Sequence, residues 1–303
     1  MAVVVIALAG CGRSSRSPAD GVRLGPKSEA VTLNAGGEHR TYLLHRPAVV
    51  HPGPPALVVV LHGASLTAEQ TETYYRWDEL ADREGFAVAY PQGLGKAWNA
   101  GSCCSGAPAR GTDDVGFVQT VLDDASRRAG ADPHRLYLSG VSNGAMLTFR
   151  YACERPGHLA AIGSVAGTLT APCDHPPMVP LIEIHGLHDR AVPFLAGAGT
   201  QESGPALRLP ARQAIDRWRA ADGCHDAKVV TTGAVHVETS VCAPGGDVKV
   251  ITIDGAGHQW PGAVLDPARS AYDGPEDQPD THVDATRELW TFFATHPGPP
   301  PTR

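Results

Sequence analysis

Arg135-Leu136-Tyr137-Leu138-Ser139-Gly140-Val141-Ser142-Asn143-Gly144-Ala145-Met146-Leu147-Thr148-Phe149-Arg150-Tyr151 is the stretch whose reading decides the fold. It begins as a short apolar run of strand character and ends with the composition of a helix. Only the five residues from Gly140 to Gly144 lie between them. A turn that sharp leaves no room for side chains beside its tip, which accounts for the flanking glycines. At the tip stands Ser142. Its hydroxyl is predicted to lie exposed above the end of a sheet, next to a helix N-terminus whose free N–H groups can face an oxyanion. The pentapeptide alone is compatible with an ordinary glycine-rich turn; the strand before it and the helix after it argue for more.

A serine hydroxyl is a poor nucleophile unless a histidine takes its proton and a carboxylate orients that histidine. In α/β-hydrolases the chain order is serine, acid, histidine. Two segments downstream of Ser142 fit that order. Pro180-Leu181-Ile182-Glu183-Ile184-His185-Gly186-Leu187-His188-Asp189 reads as a buried strand ending in a loop with an aspartate. Val248-Lys249-Val250-Ile251-Thr252-Ile253 reads as a later strand, followed by Asp254-Gly255-Ala256-Gly257-His258. Loops at the carboxyl ends of parallel strands are where catalytic residues belong. Ser142 is therefore assigned as nucleophile, Asp189 as orienting acid and His258 as general base. Fourteen histidines make any one of them unremarkable, so the choice of His258 rests on its place after a late strand. Asp254 is a rival acid, but four residues from the histidine in one turn is an awkward geometry. Asp113 and Asp114 precede the serine and read as the start of a helix. The run His185, His188, Asp189 invites a zinc reading, but no further ligand cluster and no His-Glu-x-x-His accompanies it. No metal is expected.

Two preorganised donors are needed for the oxyanion. One is the backbone N–H of Asn143. The other is expected after the apolar strand Ala56-Leu57-Val58-Val59-Val60-Leu61, where Gly63 permits close approach and the Ala64 N–H points at the substrate. His62 lies before the nucleophile and reads as structural rather than catalytic; it is kept with Trp260 as a residue on the substrate side.

With these residues in place the chain resembles the polyhydroxybutyrate depolymerase and feruloyl esterase group of secreted α/β-hydrolases. The carrying segments are Leu61-His62-Gly63, Tyr90-Pro91-Gln92-Gly93, Trp98 with Cys103-Cys104, Asp113-Asp114-Val115-Gly116-Phe117, the Gly140 to Gly144 turn, His185-Gly186 with Asp189, and Gly257-His258-Gln259-Trp260-Pro261-Gly262. The resemblance implies ester hydrolysis through an acyl-enzyme, with Ser142, Asp189 and His258 as the triad, and places Trp260 in the wall of the substrate cleft. Ala64-Ser65-Leu66 departs from the glycine-rich or cysteine-containing oxyanion loop of many members. Two other readings stand beside this one: a feruloyl or acetyl-xylan esterase, and a binding lipoprotein that keeps the hydrolase fold without catalysis.

A chain of 303 residues with 42% hydrophobic content can bury a full core as one domain. A net charge of -7 gives no basic footprint, so nucleic acid is not an expected partner. No Walker A or dinucleotide glycine fingerprint occurs, and no cofactor is expected. The partners expected are an ester substrate and, through a lipid, a membrane; the protein is expected to be a monomer. Residues 1–11 are small and apolar, and Leu8-Ala9-Gly10-Cys11 resembles a bacterial lipobox that would place a lipid on Cys11, although no basic residue precedes the apolar stretch. Residues 12–28 read as a flexible tether, 29–296 as the catalytic domain and 297–303, rich in proline, as a frayed tail. Export suits the six other cysteines. Cys153–Cys173 and Cys224–Cys242 are the favoured pairs, each closing a local loop after a helix. Cys103 and Cys104 are left as an adjacent bridge or a reduced pair.

Along the domain, residues 31–34 and 40–46 read as an opening hairpin, and 86–90, 136–138, 160–165, 181–184 and 248–253 as strands. Residues 69–84, 113–129, 207–221 and 282–295 read as helices, 229–241 as an additional hairpin, and 93–111 as a long loop beside the site. Alternating strand and helix predicts an α/β fold, a mainly parallel central sheet with helices on both faces.

Overall fold

The computed structural model describes residues 28–49, 52–104, 111–195, 209–264 and 278–298. The apolar segment with Cys11, all but the last residue of the tether, and residues 299–303 lie outside the described residues. The elements in chain order are β1 (Glu29–Ala35), β2 (Glu38–His45), β3 (Leu57–Leu61), α1 (Ala68–Tyr75), α2 (Trp77–Glu84), β4 (Ala87–Pro91), α3 (Asp114–Ala129), β5 (Leu136–Val141), α4 (Asn143–Glu154), β6 (Ala161–Val165), β7 (Leu181–Gly186), α5 (Ala211–Ala221), β8 (His225–Thr232), β9 (Val235–Val241), β10 (Val248–Ile253) and α6 (Ala285–Ala294).

All ten strands form one sheet in the order β1-β2-β4-β3-β5-β6-β7-β10-β9-β8. The six inner strands from β4 to β10 run parallel. Both hairpins attach antiparallel at the margins. The parallel strands are mostly apolar because both of their faces are covered. Alternation splits β3: Leu57, Val59 and Leu61 join the core under α3, α4 and α5, while Val58 and Val60 join the core under α1, α2 and α6. Helices on opposite faces put every parallel strand's carboxyl end on one rim, and β3, β5, β7 and β10 deliver the site from there.

Two expectations need correction. Residues 69–84 were expected to be one helix but form α1 and α2, broken at Arg76, whose φ of 56° is left-handed. The break turns Trp77 inward, where it packs edge-on against Phe86 and Trp260. The start of the proline-rich tail is docked rather than frayed, since the Gly298 N–H donates to the His134 carbonyl at 2.7 Å. Asp113 and Asp114 open a helix as expected: Asp113 caps α3 by accepting from the Gly116 N–H at 2.8 Å, and Asp114 is its first residue. Asp114 itself is buried in an ion pair with Arg40 at 2.7 Å, and its second oxygen accepts from the Asn99 N–H. Bridges join Cys153 to Cys173, Cys224 to Cys242 and Cys103 to Cys104. No helix among the described residues is long and apolar enough to cross a membrane.

Candidate active site

Ser142 occupies a strained backbone position at the tip of its turn. Its φ of 53° and ψ of -119° belong to a region that side-chain-bearing residues avoid, at a cost of about 1–3 kcal/mol. The turn is held by what surrounds it. A Cβ on Gly140 would stand 2.5 Å from the Gly144 carbonyl carbon, and one on Gly144 would stand 2.5 Å from the Leu61 carbonyl oxygen. No other residue fits at either place, so β3, β5 and α4 close tightly around the serine. The Ser142 N–H donates to the Val165 carbonyl at 2.9 Å, tying the tip to β6.

The loops after β7 and β10 converge on this tip. Ser142 Oγ lies 2.8 Å from His258 Nε2, and His258 Nδ1 lies 2.8 Å from Asp189 Oδ2. The carboxylate can only accept, so Nδ1 carries the proton and Nε2 is left to accept from the serine hydroxyl. Asp189 is 2% exposed, whereas the His258 side chain keeps 24% of its surface open. Burial alone would raise the Asp189 carboxyl. Hydrogen bonds from His185 and His258 outweigh it and hold the group below the ordinary carboxylate range. Its other oxygen accepts from the amides of Ala191 and Val192 at 2.9 and 2.7 Å. Asp254, the rival acid, turns away and pairs with His236 at 3.0 Å. Of the His-x-x-His-Asp run, His185 stands 3.4 Å from Asp189, but exposed His188 turns elsewhere and accepts from the Gly255 N–H at 3.1 Å.

The loop after β3, expected to supply an oxyanion donor, is held to the Ser142 turn. Asn143 opens α4, where first-turn amides have no partner within the helix. Its side chain clasps the Trp98 backbone, accepting from Trp98 N at 2.7 Å and donating to Trp98 O at 3.1 Å. The Trp98 indole N–H in turn reaches the His62 carbonyl at 2.8 Å. The Ser142 turn and the loop after β3 are thereby locked to one another, a link that the sequence did not disclose. Within that loop the Ser65 and Leu66 amides are committed to the carbonyls of Lys96 and Gly63. Ala64 keeps part of its surface open.

Both residues placed on the substrate side are corrected. His62 is fully buried, and its Nε2 accepts from the Gly93 N–H at 2.9 Å while Nδ1 faces the Gly63 carbonyl. Burial pushes the ring down to about 4, so it is a neutral brace for the loop. Trp260 is 1% exposed. It stacks on Tyr75 at 4.2 Å and donates from Nε1 to Thr286 Oγ1, and Thr286 bonds the Tyr75 carbonyl. A side chain so placed is a buttress for the loop bearing His258 and no part of a cleft wall. Trp260→Ala should therefore cost about 3–5 kcal/mol of stability. It should lower turnover equally on small and bulky esters, read from chemical denaturation and kinetics on both. A loss confined to bulky esters would restore the cleft role.

The strand beneath Asp189 carries a group that sequence reading weighed only as a metal ligand. His185 is fully buried between Glu183, 2.8 Å from Nδ1, and the Val192 carbonyl, 2.8 Å from Nε2. Burial opposes its charge, but the hydrogen bonds and negative charges of Asp189 and Glu183 prevail and lift it to about 10. Because the folded value lies above the ordinary one near 6.5, this contribution to stability is complete below that pH and is lost as pH rises through about 10. Melting temperatures from pH 7 to 10 should fall more steeply in the native protein than in His185→Gln. Parallel curves would show that His185 does not titrate there.

Comparison with known proteins agrees with this geometry. A family model described as Esterase PHB depolymerase matches residues 40–178. The protein named "Putative esterase NocK" from Nocardia uniformis subsp. tsuyamanensis is 31% identical over 86% of this chain and 83% of its own length. The chain belongs to the PHB depolymerase esterase family. Feruloyl esterase B of Piromyces equi is 27% identical over 67% of the chain, which spans 39% of that longer protein. Among solved structures, the acetyl xylan esterase from Aspergillus awamori covers 79% of this chain and 96% of its own, with a TM-score of 0.57 at 16% identity, a likeness of fold. This family member is a carboxylic ester hydrolase with the α/β-hydrolase fold.

Proposed function

We propose that the chain is an exported serine esterase acting through an acyl-enzyme on polyhydroxybutyrate-type esters or their oligomers. The observation that carries the chemistry is the unbroken hydrogen-bonded line from Ser142 Oγ through His258 to Asp189, at 2.8 Å per step. Ser142 Oγ attacks the ester carbonyl carbon while its proton passes to His258 Nε2. The oxyanion is met by the N–H groups of Asn143 and Ala64, each contributing about 3 kcal/mol to transition-state stabilisation. Collapse of the tetrahedral intermediate breaks the ester C–O bond, and His258 returns the proton to the departing alcohol. Water, activated by the same ring, then releases the acid and regenerates the serine. Asp189 keeps Nδ1 protonated throughout and offsets the imidazolium charge.

Family membership supports the polyester reading. The Feruloyl esterase B relative supports a second, hydroxycinnamoyl esters of plant polysaccharide. Three disulfide bridges and the lipobox-like Leu8-Ala9-Gly10-Cys11 support export, with a lipid on Cys11 as anchor. An organophosphonate should add one mass label, on Ser142, and block turnover of every ester cleaved. A panel of 3-hydroxybutyrate oligomers, feruloyl and acetyl esters then ranks kcat/KM. Labelling elsewhere overturns the nucleophile; a hundredfold preference for feruloyl esters overturns the polyester reading.

A further inference from the structure

Asp189 is gripped from two sides, and only the His258 side enters the chemistry above. On the other side, Glu183 and His185 project from the same face of β7, two residues apart, with both side chains fully enclosed. Val192 O can only accept, so the His185 Nε2 facing it at 2.8 Å carries a proton. That same nitrogen stands 3.4 Å from Asp189 Oδ2, the oxygen that holds His258. The Val192 peptide closes a ring: its N–H donates to Asp189 Oδ1 at 2.7 Å while its C=O receives from His185. Other groups meeting this cluster are the Phe194 ring, 5.5 Å from the imidazole, and Thr252 of β10, the register partner of His185. On the far side Ser164 of β6 is the register partner of Glu183.

An ion pair in the middle of an enclosed parallel strand is expensive, and two apolar residues would fill the space without that cost. Every other side chain of β7 is apolar or absent. The pair therefore calls for an explanation beyond packing, and its direct contact with the orienting carboxylate supplies one. We propose that Glu183 and His185 are positioning residues of the ester hydrolase, a buried pair holding a fixed proton and positive charge against Asp189. The pair sets both the aim of that carboxylate and the field it presents to His258. The inference rests on the Ser142, His258, Asp189 reading. Glu183 keeps His185 charged, His185 partly neutralises Asp189, and the remaining charge of Asp189 fixes how readily His258 gives up its proton.

The test compares native protein, His185→Gln and the double variant Glu183→Gln with His185→Gln, reading kcat, KM and the pH profile of kcat/KM. Glutamine retains a donor for the Val192 carbonyl but carries no charge. The double variant removes the buried carboxylate that His185→Gln alone leaves unpaired, so it serves where the single variant fails to fold. Each folded variant should lose about tenfold in kcat with KM unchanged. The acid limb should move about 0.5–1 pH unit upward, because an unopposed Asp189 charge makes His258 hold its proton more tightly. A folded variant whose pH profile superimposes on the native one overturns the proposal, whatever its rate, and leaves the pair a packing feature. Ser142→Ala run in parallel separates the failures. If it stays active, the underlying triad reading falls; if it is dead while His185→Gln behaves as native, only the positioning role falls.

Discussion

Ser142→Ala should lower ester turnover by about a million-fold while leaving the fold and the melting temperature in place. The size of the effect follows from how much converges on one oxygen. His258 Nε2 meets that oxygen at 2.8 Å, and the proposed oxyanion donors act on the carbonyl it attacks. Without the hydroxyl, what survives is water attack helped by substrate binding and the oxyanion donors alone. Stability should hardly change, since the side chain is partly exposed and fills no packing space. Alanine also inherits the strained φ of 53°. The strain belongs to the turn, fixed by Gly140 and Gly144, and does not depend on the hydroxyl. The check is kcat on a soluble ester together with a phosphonate mass label that the variant fails to take. Undiminished hydrolysis by a folded Ser142→Ala would falsify the assignment.

Why this much could be read from residues alone is a matter of range. The elbow is local: strand, two glycines and helix sit within a score of residues, and sterics at Gly140 and Gly144 leave one solution. Strands β3, β5, β7 and β10 were legible because apolar runs bounded by glycine mark parallel strands buried on both faces. Their right-handed connections then bring the following loops to one rim. Orientation on those loops was not legible. Trp260 follows His258 by two residues, but a loop has no period that tells inward from outward. Its direction is decided by Tyr75 and Thr286, which lie far away in the chain. The break at Arg76 was hidden for a similar reason, as no glycine or proline marks it and the demand comes from the core that Trp77 enters. Asn143 was expected to act through its amide, and its side chain's clasp on Trp98 spans 45 residues. Glu183 did leave a signal: one charge inside an otherwise apolar strand, two residues before a histidine.

Asp189→Asn should cost about ten-thousandfold in kcat, with the loop's own hydrogen bonds enforcing the loss. Oδ1 of the native carboxylate accepts from the Ala191 and Val192 amides, so the asparagine must keep its carbonyl oxygen at that position. Its NH2 group then falls where Oδ2 stood, 2.8 Å from His258 Nδ1. Two donors cannot share one line, so Nδ1 gives up its proton and the ring carries it on Nε2 instead. There it points at Ser142 and can no longer accept. Flipping the amide would restore Nδ1 but set NH2 against two backbone N–H groups, a worse exchange inside a buried loop. The same NH2 also meets the Nε2–H of His185, 3.4 Å from the native oxygen. A stability loss of about 1–3 kcal/mol should therefore accompany the kinetic one. Asp254→Asn serves as the control, because its carboxylate serves His236 and should leave kcat within twofold of native. Kinetics and denaturation of the two variants side by side decide the matter. If Asp254→Asn proves the crippled one, the orienting acid is wrongly placed and the loop after β7 is only a support.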